Sequence, residues 1–237
     1  MGLSHSPMIT TEGLVLCLDA ANRRSYPGSG TSWLDLSGNN RHAAVDNSPG
    51  FMSSGGQSYF STSTDDLIRI DHFDYNRQKF SVEAFFRIHT AHINWKTSIF
   101  SKWQTGAASN NEFVIGASNI TGPSPLIFAI QDSSSTKIES ITTSWNYSTA
   151  KWYSLTGTFN SGSMKVYVNG QLENSVTSTI TEVKSYSSQK FGIAVFGDTY
   201  QYITTCYVAT ARLYSNKELS ANEVQRNYLA TKSRFGL

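Results

Sequence analysis

Apolar and polar residues alternate along much of the chain, which is the pattern of a β-strand with one buried face. The clearest example covers residues 79–89, where every second position from Phe80 to Ile88 is apolar. Phe85 interrupts the polar face, so we expect a second layer or a curved neighbour to cover part of it. The other strand-like segments are residues 112–115, 126–131, 137–142, 152–159, 164–168, 191–196 and 202–214.

A tight hairpin is predicted where the alternating segment 164–168 runs into Asn169 and Gly170. A type I′ turn needs positive φ angles at both central positions, and this dipeptide tolerates them best. We expect the return strand to begin at Gln171.

The only helix predicted is near the C-terminus, at about residues 221–232. Ser220 and Glu223 have the spacing of a capping box, and Leu219 and Val224 have the spacing of a hydrophobic staple. Gly236 lies beyond the expected end of this helix.

No linker, charge run or internal repeat divides the chain, so we expect a short N-terminal arm at residues 1–12 and one domain at residues 13–237. Residues 22–58 are rich in Gly, Ser, Asn and Pro and are expected to be mostly loop. No apolar run approaches the length of a membrane span, which argues against membrane insertion. The N-terminus lacks the pattern of a signal peptide, so synthesis in a cytoplasm is expected.

Charge excludes one class of partner. With Lys+Arg 19 and Asp+Glu 17, the formal net charge is +2, too near neutral for a protein that binds nucleic acid electrostatically. Charged residues make up 15% of the chain, below the usual roughly 25%, which indicates a neutral polar surface. Cys17 and Cys206 lie in apolar segments and are expected to be buried thiols, although the sequence leaves a disulfide open.

Three stretches carry a resemblance to a known family: residues 80–86 (FSVEAFF), residues 152–170 ending in KVYVNG, and residues 211–224 (ARLYSNKELSANEV). Together and in this order they resemble the laminin-G-like branch of the concanavalin A-like jelly rolls. The resemblance implies an all-β sandwich of two antiparallel sheets with one short C-terminal helix.

A narrower resemblance concerns the two ends of the chain. Residues 12–20, 25–30 and 33–39, together with residues 227–237, resemble the opening and the ending of laminin-G-like proteins of tailed bacteriophages. This resemblance implies a virion surface protein, most simply a capsid decoration protein that docks on capsid or tail proteins in multiple copies, with homo-oligomers left open. The alternatives are a tail-fibre adhesin and a free carbohydrate-binding lectin module.

Within the N-terminal part, Asp35, Ser37 and Gly38 have the chemistry of a capped turn. Side-chain oxygens of Asp and Ser accept hydrogen bonds from nearby backbone amides, and glycine accepts an unusual φ angle. We expect a structural role for all three residues.

The sequence contains little that would support catalysis. A glycosidase on such a sandwich needs two carboxylates projecting from one face, and no two acidic residues are spaced i,i+2 or i,i+4. Glu83 lies inside a strand, where pairing with a lysine or arginine on the outer face is the expected role. No Gly-x-Ser-x-Gly elbow is present. We therefore expect a protein that is not an enzyme, with a glycoside hydrolase as the least favoured alternative.

No cofactor or metal is expected either. Laminin-G-like relatives often hold calcium through acidic loop residues, but residues 205–210, which precede the end of the last strand, contain no acid. Calcium binding therefore has no support in this sequence.

Aromatic residues in predicted loops are the best ligand signal, because sugar rings stack on flat side chains. Each of them could instead cover the edge of the sandwich or form a protein interface. A host-surface polysaccharide is the ligand that stacking would suit. The candidate residues for a glycan site or an interface are Trp95, Trp103, Trp145, Tyr147, Tyr200 and Tyr202.

Overall fold

Two large antiparallel sheets pack face to face, and one α-helix lies near the C-terminus. The computed structural model describes residues 8–63, 65–90, 97–103, 111–117, 125–149, 151–196 and 205–237, and for residues 90 and 140–146 it describes the backbone alone. The predicted fold class, an all-β sandwich with one short C-terminal helix, is confirmed.

The chain crosses between the two sheets several times, and runs of consecutive strands stay within one sheet. In chain order they are β1 (Leu14–Asp19), β2 (Ser32–Trp33), β3 (Ala43–Asp46), β4 (Gly50–Ser54), β5 (Gln57–Ser61), β6 (Leu67–Ile70), β7 (Lys79–Thr90), β8 (Thr97–Lys102), β9 (Phe113–Ala117), β10 (Pro125–Gln131), β11 (Lys137–Asn146), β12 (Tyr153–Asn160), β13 (Ser163–Val168), β14 (Gln171–Thr177), β15 (Phe191–Ile193) and β16 (Thr205–Ser215). Helix α1 (Ala221–Lys232) follows, and a 3₁₀ turn (Ser233–Phe235) continues it.

One sheet, called sheet A here, has the order β14-β13-β12-β7-β16-β5-β4, and β1 also pairs with β16 beside β5. The other, sheet B, has the order β11-β10-β9-β8-β15-β6-β3-β2. Strand β16 is therefore central in sheet A: it pairs with β7 on one side and with β1 and β5 on the other.

The main core fills the space between the sheets. The alternating side chains of β7 from Phe80 to Ile88 are fully buried there, as the pattern predicts. Phe85 points to the opposite face and packs with Trp152 and Phe235. The layer that we expected over this face is therefore formed by the C-terminal segment, through the 3₁₀ turn and Tyr228 of α1.

Local signals at the hairpin and the helix have the expected geometry. Asn169 and Gly170 have φ angles of 49° and 82°, and β14 begins at Gln171. Ser220 and Glu223 form the capping box of α1, which ends at Lys232 as predicted.

Most of residues 22–58 lie outside strands and helices, as predicted. The segment also contains the short strands β2, β3 and β4 and the start of β5. These strands are short and lie at or near sheet edges, so few residues carry an alternating pattern. The strand predicted at residues 191–196 is shorter than expected: β15 ends at Ile193.

Both cysteines are buried and unbonded. Burial raises the pKa of Cys206 to about 12 and also raises the pKa of Cys17, so neither thiol ionises readily at neutral pH. No helix in the described part of the chain is long and apolar enough to cross a membrane.

Candidate functional site

The predicted loop aromatics divide into two groups. Trp103 is 8% exposed and packs against Val114, Ile127 and Phe196, and Tyr147 is 4% exposed within the main core. These two residues have structural roles, because so little exposed surface offers no face on which a sugar ring could stack. Trp95, Tyr200, Tyr202 and the side chain of Trp145 lie outside the described residues, and their part in a glycan site or an interface stays a prediction.

Glu83 belongs to a buried polar cluster under α1. Strand register places it opposite Arg212, and the two side chains form an ion pair. Asn227 of α1 donates from Nδ2 to Glu83 Oε2 at 2.9 Å and to the Tyr214 hydroxyl at 2.9 Å. Burial disfavours the charge on Arg212, but the Glu83 carboxylate outweighs that effect, so the pKa of Arg212 is raised. The expected pairing of Glu83 with a cation is confirmed, and the carboxylate is not accessible to a substrate.

A second buried pair lies at the end of β8. Lys102 Nζ donates to Glu112 Oε1 at 2.6 Å, and the Tyr75 hydroxyl donates to Glu112 Oε2 at 2.9 Å. His72 Nδ1 lies 2.7 Å from Lys102 Nζ. Burial lowers the pKa of His72, and the neighbouring charge of Lys102 lowers it further. Both oxygens of Glu112 are thus engaged within the fold.

The described residues contain no group of three or more His, Cys, Asp or Glu side chains placed to hold a metal ion. The two most deeply buried glutamates, Glu83 and Glu112, each face a single cation. This arrangement suits structural ion pairs, whereas a glycosidase needs two carboxylates that face one substrate.

The Asp35 turn organises the segment between β1 and β3. Asp35 Oδ1 accepts hydrogen bonds from the backbone N–H groups of Cys17 and Ser37, at 2.8 and 2.9 Å. Its Oδ2 accepts from Ser37 Oγ at 2.7 Å and from the N–H of Arg41 at 3.2 Å. Gly38 has a φ of +89°, which glycine adopts without strain. The structure thus gives Asp35 and Ser37 hydrogen bonds within this turn and gives Gly38 its positive φ angle.

Ser25 anchors the first half of the same segment. Its buried Oγ donates to the carbonyl oxygen of Leu34 at 2.6 Å and accepts from the N–H of Asp19 at 3.2 Å. The backbone N–H of Leu34 donates in return to the carbonyl oxygen of Ser25 at 2.7 Å. Residues 20–25 and 34–42 are therefore held side by side at the surface, and we call them together the rim segment.

Three adjoining surface hollows surround the rim segment, and we take them as the candidate site. The first, of about 310 Å³, is lined by Asn22, Arg24, Leu34, Leu36 and His42 among others. The second, of about 390 Å³, shares Asn22 with the first and lies beside Arg23 and Arg234. The third, of about 200 Å³, shares Ala21 and Arg23 with the second and is bordered by Tyr26 and Phe51.

The chemistry of these hollows differs from what the loop aromatics suggested. Apolar side chains form part of the lining, and the exposed charged groups are the arginines Arg23 and Arg24. Arg234, beside the second hollow, is already engaged in a two-pronged ion pair with Asp19, at 2.7 and 2.8 Å. The hollows therefore combine apolar surface with hydrogen-bond donors, which is typical of sites for small polar ligands.

The profile of the laminin-G type, described as the concanavalin A-like lectin/glucanases superfamily, matches residues 54–225. The chain therefore belongs to the concanavalin A-like lectin/glucanases superfamily. No curated protein sequence matches the chain significantly.

Solved structures share the fold at low sequence identity. The binding domain of Paraclostridial Mosquitocidal Protein 1 has a TM-score of 0.70 at 14% identity, over 92% of this chain and 52% of that one. The binding domain of botulinum neurotoxin serotype D has a TM-score of 0.66 at 20% identity, over 93% and 52%. This chain thus spans about half the length of the toxin domains.

A third structure matches along nearly its whole length. Domain 4 of AbnA, an extracellular arabinanase from Geobacillus stearothermophilus, solved in complex with arabinotriose, has a TM-score of 0.66 at 18% identity. The match covers 92% of this chain and 98% of that domain. At such identities the comparison establishes the common fold.

The family match does not test the resemblance to phage proteins. That resemblance depends on residues 12–20, 25–30, 33–39 and 227–237, which lie outside the matched range of 54–225. Virion location therefore stays a prediction.

Proposed function

We propose that this protein is a carbohydrate-binding module without catalytic activity. The observation that carries the proposal is the set of adjoining hollows around the rim segment, where apolar surface meets unengaged donors. A sugar offers C–H faces to apolar surface and hydroxyl oxygens to donors, so this combination suits it.

Known complexes of the same fold support this choice of ligand class. The AbnA domain was solved with arabinotriose, and a botulinum neurotoxin serotype D ligand-binding domain was solved with N-acetylneuraminic acid. The match covers 98% of the AbnA domain and 52% of the toxin domain, so the arabinotriose complex is the stronger support.

Absence of catalysis is part of the proposal. Glu83 and Glu112 are both nearly fully buried and ion-paired, so neither is available to protonate a glycosidic oxygen. A hydrolase would need a second carboxylate about 5 to 9.5 Å from the first, with both facing the sugar.

The test is binding of the purified protein to a panel of neutral and acidic oligosaccharides, followed by calorimetry on those that bind. Ala21 lines two of the three hollows, so Ala21→Trp should fill them and weaken binding there about tenfold or more. Leu172 is 51% exposed on β14, at the opposite edge of sheet A, so Leu172→Trp is the matched control and should bind normally.

Two results would contradict this proposal. One is failure to bind any saccharide on the panel. The other is release of reducing ends from a bound polysaccharide, which would make the protein an enzyme.

A second candidate function, a particle-surface protein, is favoured by the way the two chain ends meet. Two of the segments that resemble phage proteins contact each other, because Arg234 pairs with Asp19. The N-terminal arm adds a contact to the same end, where the N–H of Thr10 donates to Asn227 Oδ1 at 2.8 Å. We propose that this end of the molecule, with the arm at residues 1–12, docks on capsid or tail proteins at the virion surface. A symmetric particle would multiply weak contacts into firm attachment.

Co-sedimentation with particles of the phage that carries the protein tests this second function. A capsid decoration protein is expected at on the order of hundreds of copies per particle, and a tail adhesin at about a few dozen or fewer. No association would contradict a virion role and leave a free carbohydrate-binding module.

A further inference from the structure

The first hollow, which Arg24 lines, offers hydrogen-bond donors to a ligand. No charged side chain in its lining offers a free acceptor. Asp35 is its one acidic lining residue, and both carboxylate oxygens of Asp35 already accept from the backbone and from Ser37. Asp35 therefore shapes this hollow without offering its charge to a ligand.

The polar side chains that remain are all donors. Asn22 Oδ1 accepts from the backbone N–H of Arg24 at 3.0 Å, which leaves the Nδ2 amide as its free group. His42 Nδ1 accepts from the backbone N–H of Asp35 at 3.0 Å, so the neutral ring carries its proton on Nε2. His42 is exposed, and both side chains line the hollow.

Arg24 supplies the charge. Its side chain is exposed and lines the same hollow. Within the described part of the chain, its guanidinium makes no ion pair, hydrogen bond or ring contact. A guanidinium presents paired N–H groups that match the two oxygens of a carboxylate.

Leu34 and Leu36 add an apolar part to the lining, and both are only partly buried. Apolar side chains in the lining favour a pyranose over a free inorganic anion, because the anion gains nothing from contact with them. The volume of about 310 Å³ lies at the small end of ligand pockets and suits one or two sugar residues.

We propose that this hollow is a subsite for a sugar that carries a carboxylate, with Arg24 on the carboxylate, Asn22 and His42 on neighbouring oxygens, and the leucines under the ring. The inference rests on the carbohydrate-binding function proposed above and adds the ligand's charge and its position. It also distinguishes the three hollows, because the partly exposed ring of Phe51 borders the third, where neutral sugars would stack.

Calorimetry with two matched pairs of ligands tests the inference: trigalacturonic acid against its methyl ester, and 3′-sialyllactose against lactose. The acidic member of at least one pair is expected to bind about tenfold or more tightly than its neutral partner. Binding by one pair alone identifies the source of the carboxylate as a uronic acid or a sialic acid.

Three variants locate the effect. Arg24→Ala should remove the preference for the acidic member, and His42→Asn should reduce it, because the asparagine oxygen can still accept from Asp35 while the Nε2 donor is lost. Lys137 is an exposed cation on β11, at the opposite edge of sheet B from β2 and β3, so Lys137→Ala is the matched control and should retain the preference.

The outcomes separate the two proposals. If the wild-type protein binds neutral and acidic saccharides equally, or if Arg24→Ala keeps the preference, the acidic subsite is refuted while carbohydrate binding stands. If no saccharide binds at all, both are refuted. Loss of the preference in Arg24→Ala, with neutral binding and thermal unfolding unchanged, supports the subsite.

Discussion

Replacing Arg212 by methionine is expected to lower the free energy of unfolding by about 3–5 kcal/mol. Arg212 is 1% exposed and Glu83 is 2% exposed, so the substitution leaves a buried carboxylate whose remaining hydrogen bond, among the described residues, comes from the Asn227 amide. An uncompensated charge in a buried site costs far more than an exposed one. Urea unfolding of both proteins at neutral pH measures the difference.

Two further variants show whether the isolated charge is the cause. Adding Glu83→Gln to Arg212→Met removes the charge but keeps an oxygen for Asn227, so it should recover a large part of the loss. Arg226 is exposed on α1 and donates a hydrogen bond to the Thr10 hydroxyl, so Arg226→Met should change stability by about 0.5 kcal/mol or less. A loss below about 1 kcal/mol in Arg212→Met would show that water reaches the pair.

Lys102→Met is the second substitution with a large expected effect, again about 3–5 kcal/mol. The side chains of Lys102 and Glu112 are 0% and 1% exposed. Without the ammonium group, Glu112 keeps hydrogen bonds from the Tyr75 hydroxyl and from the backbone N–H of Tyr186 at 2.7 Å. Neither of these groups carries a positive charge, so the carboxylate is left buried without a counter-ion.

Chemical denaturation with Lys137→Met as the control measures this effect. Lys137 is also ion-paired, with Glu139, but its side chain is 42% exposed, and solvent-exposed pairs contribute little. Equal losses in the two variants would contradict the importance of burial. If Glu112→Gln added to Lys102→Met failed to restore stability, the packing of the lysine stem, and not its charge, would be responsible.

Features with local causes were predictable from the sequence. The helix follows from a capping box and a staple within a few residues, and the hairpin follows from Asn169 and Gly170. The alternation in β7 has the right faces because one side of the strand meets a core throughout. Each of these signals lies within about a dozen residues, where sequence spacing determines spatial proximity.

Strands that depend on distant partners were harder to predict. Strands β6 and β8 were not predicted. Strand β6 has only four residues, and strand β8 is buried along its whole length and shows no alternation. Glu83 could be assigned a cation as partner, but the choice of Arg212 depends on the register between β7 and β16, which no local pattern contains.

The candidate site was missed for a related reason. Aromatic residues in predicted loops were the expected ligand-binding residues, but the fold buries two of them, Trp103 and Tyr147. The hollows exist because Ser25 and Asp35 hold two stretches of the rim segment together, and only the Asp35 turn left a trace in the sequence. The adjacent Arg23 and Arg24 were the signal for this site that the sequence offered. In the sequence, Asp19 is the one acidic residue within four positions of either arginine, and it pairs with Arg234.

Folding of the sandwich depends on a strand near the C-terminal end of the sequence. In β16, Leu213 pairs with Val82 of β7, Leu213 also pairs with Leu16 of β1, and Val208 pairs with Phe60 of β5. Such non-local pairing gives a high contact order and hence slow folding. During synthesis, β1, β5 and β7 emerge from the ribosome well before the strand that joins them. Until β16 follows, their edges are open to mispairing, so we expect the sandwich to complete its folding only late in translation.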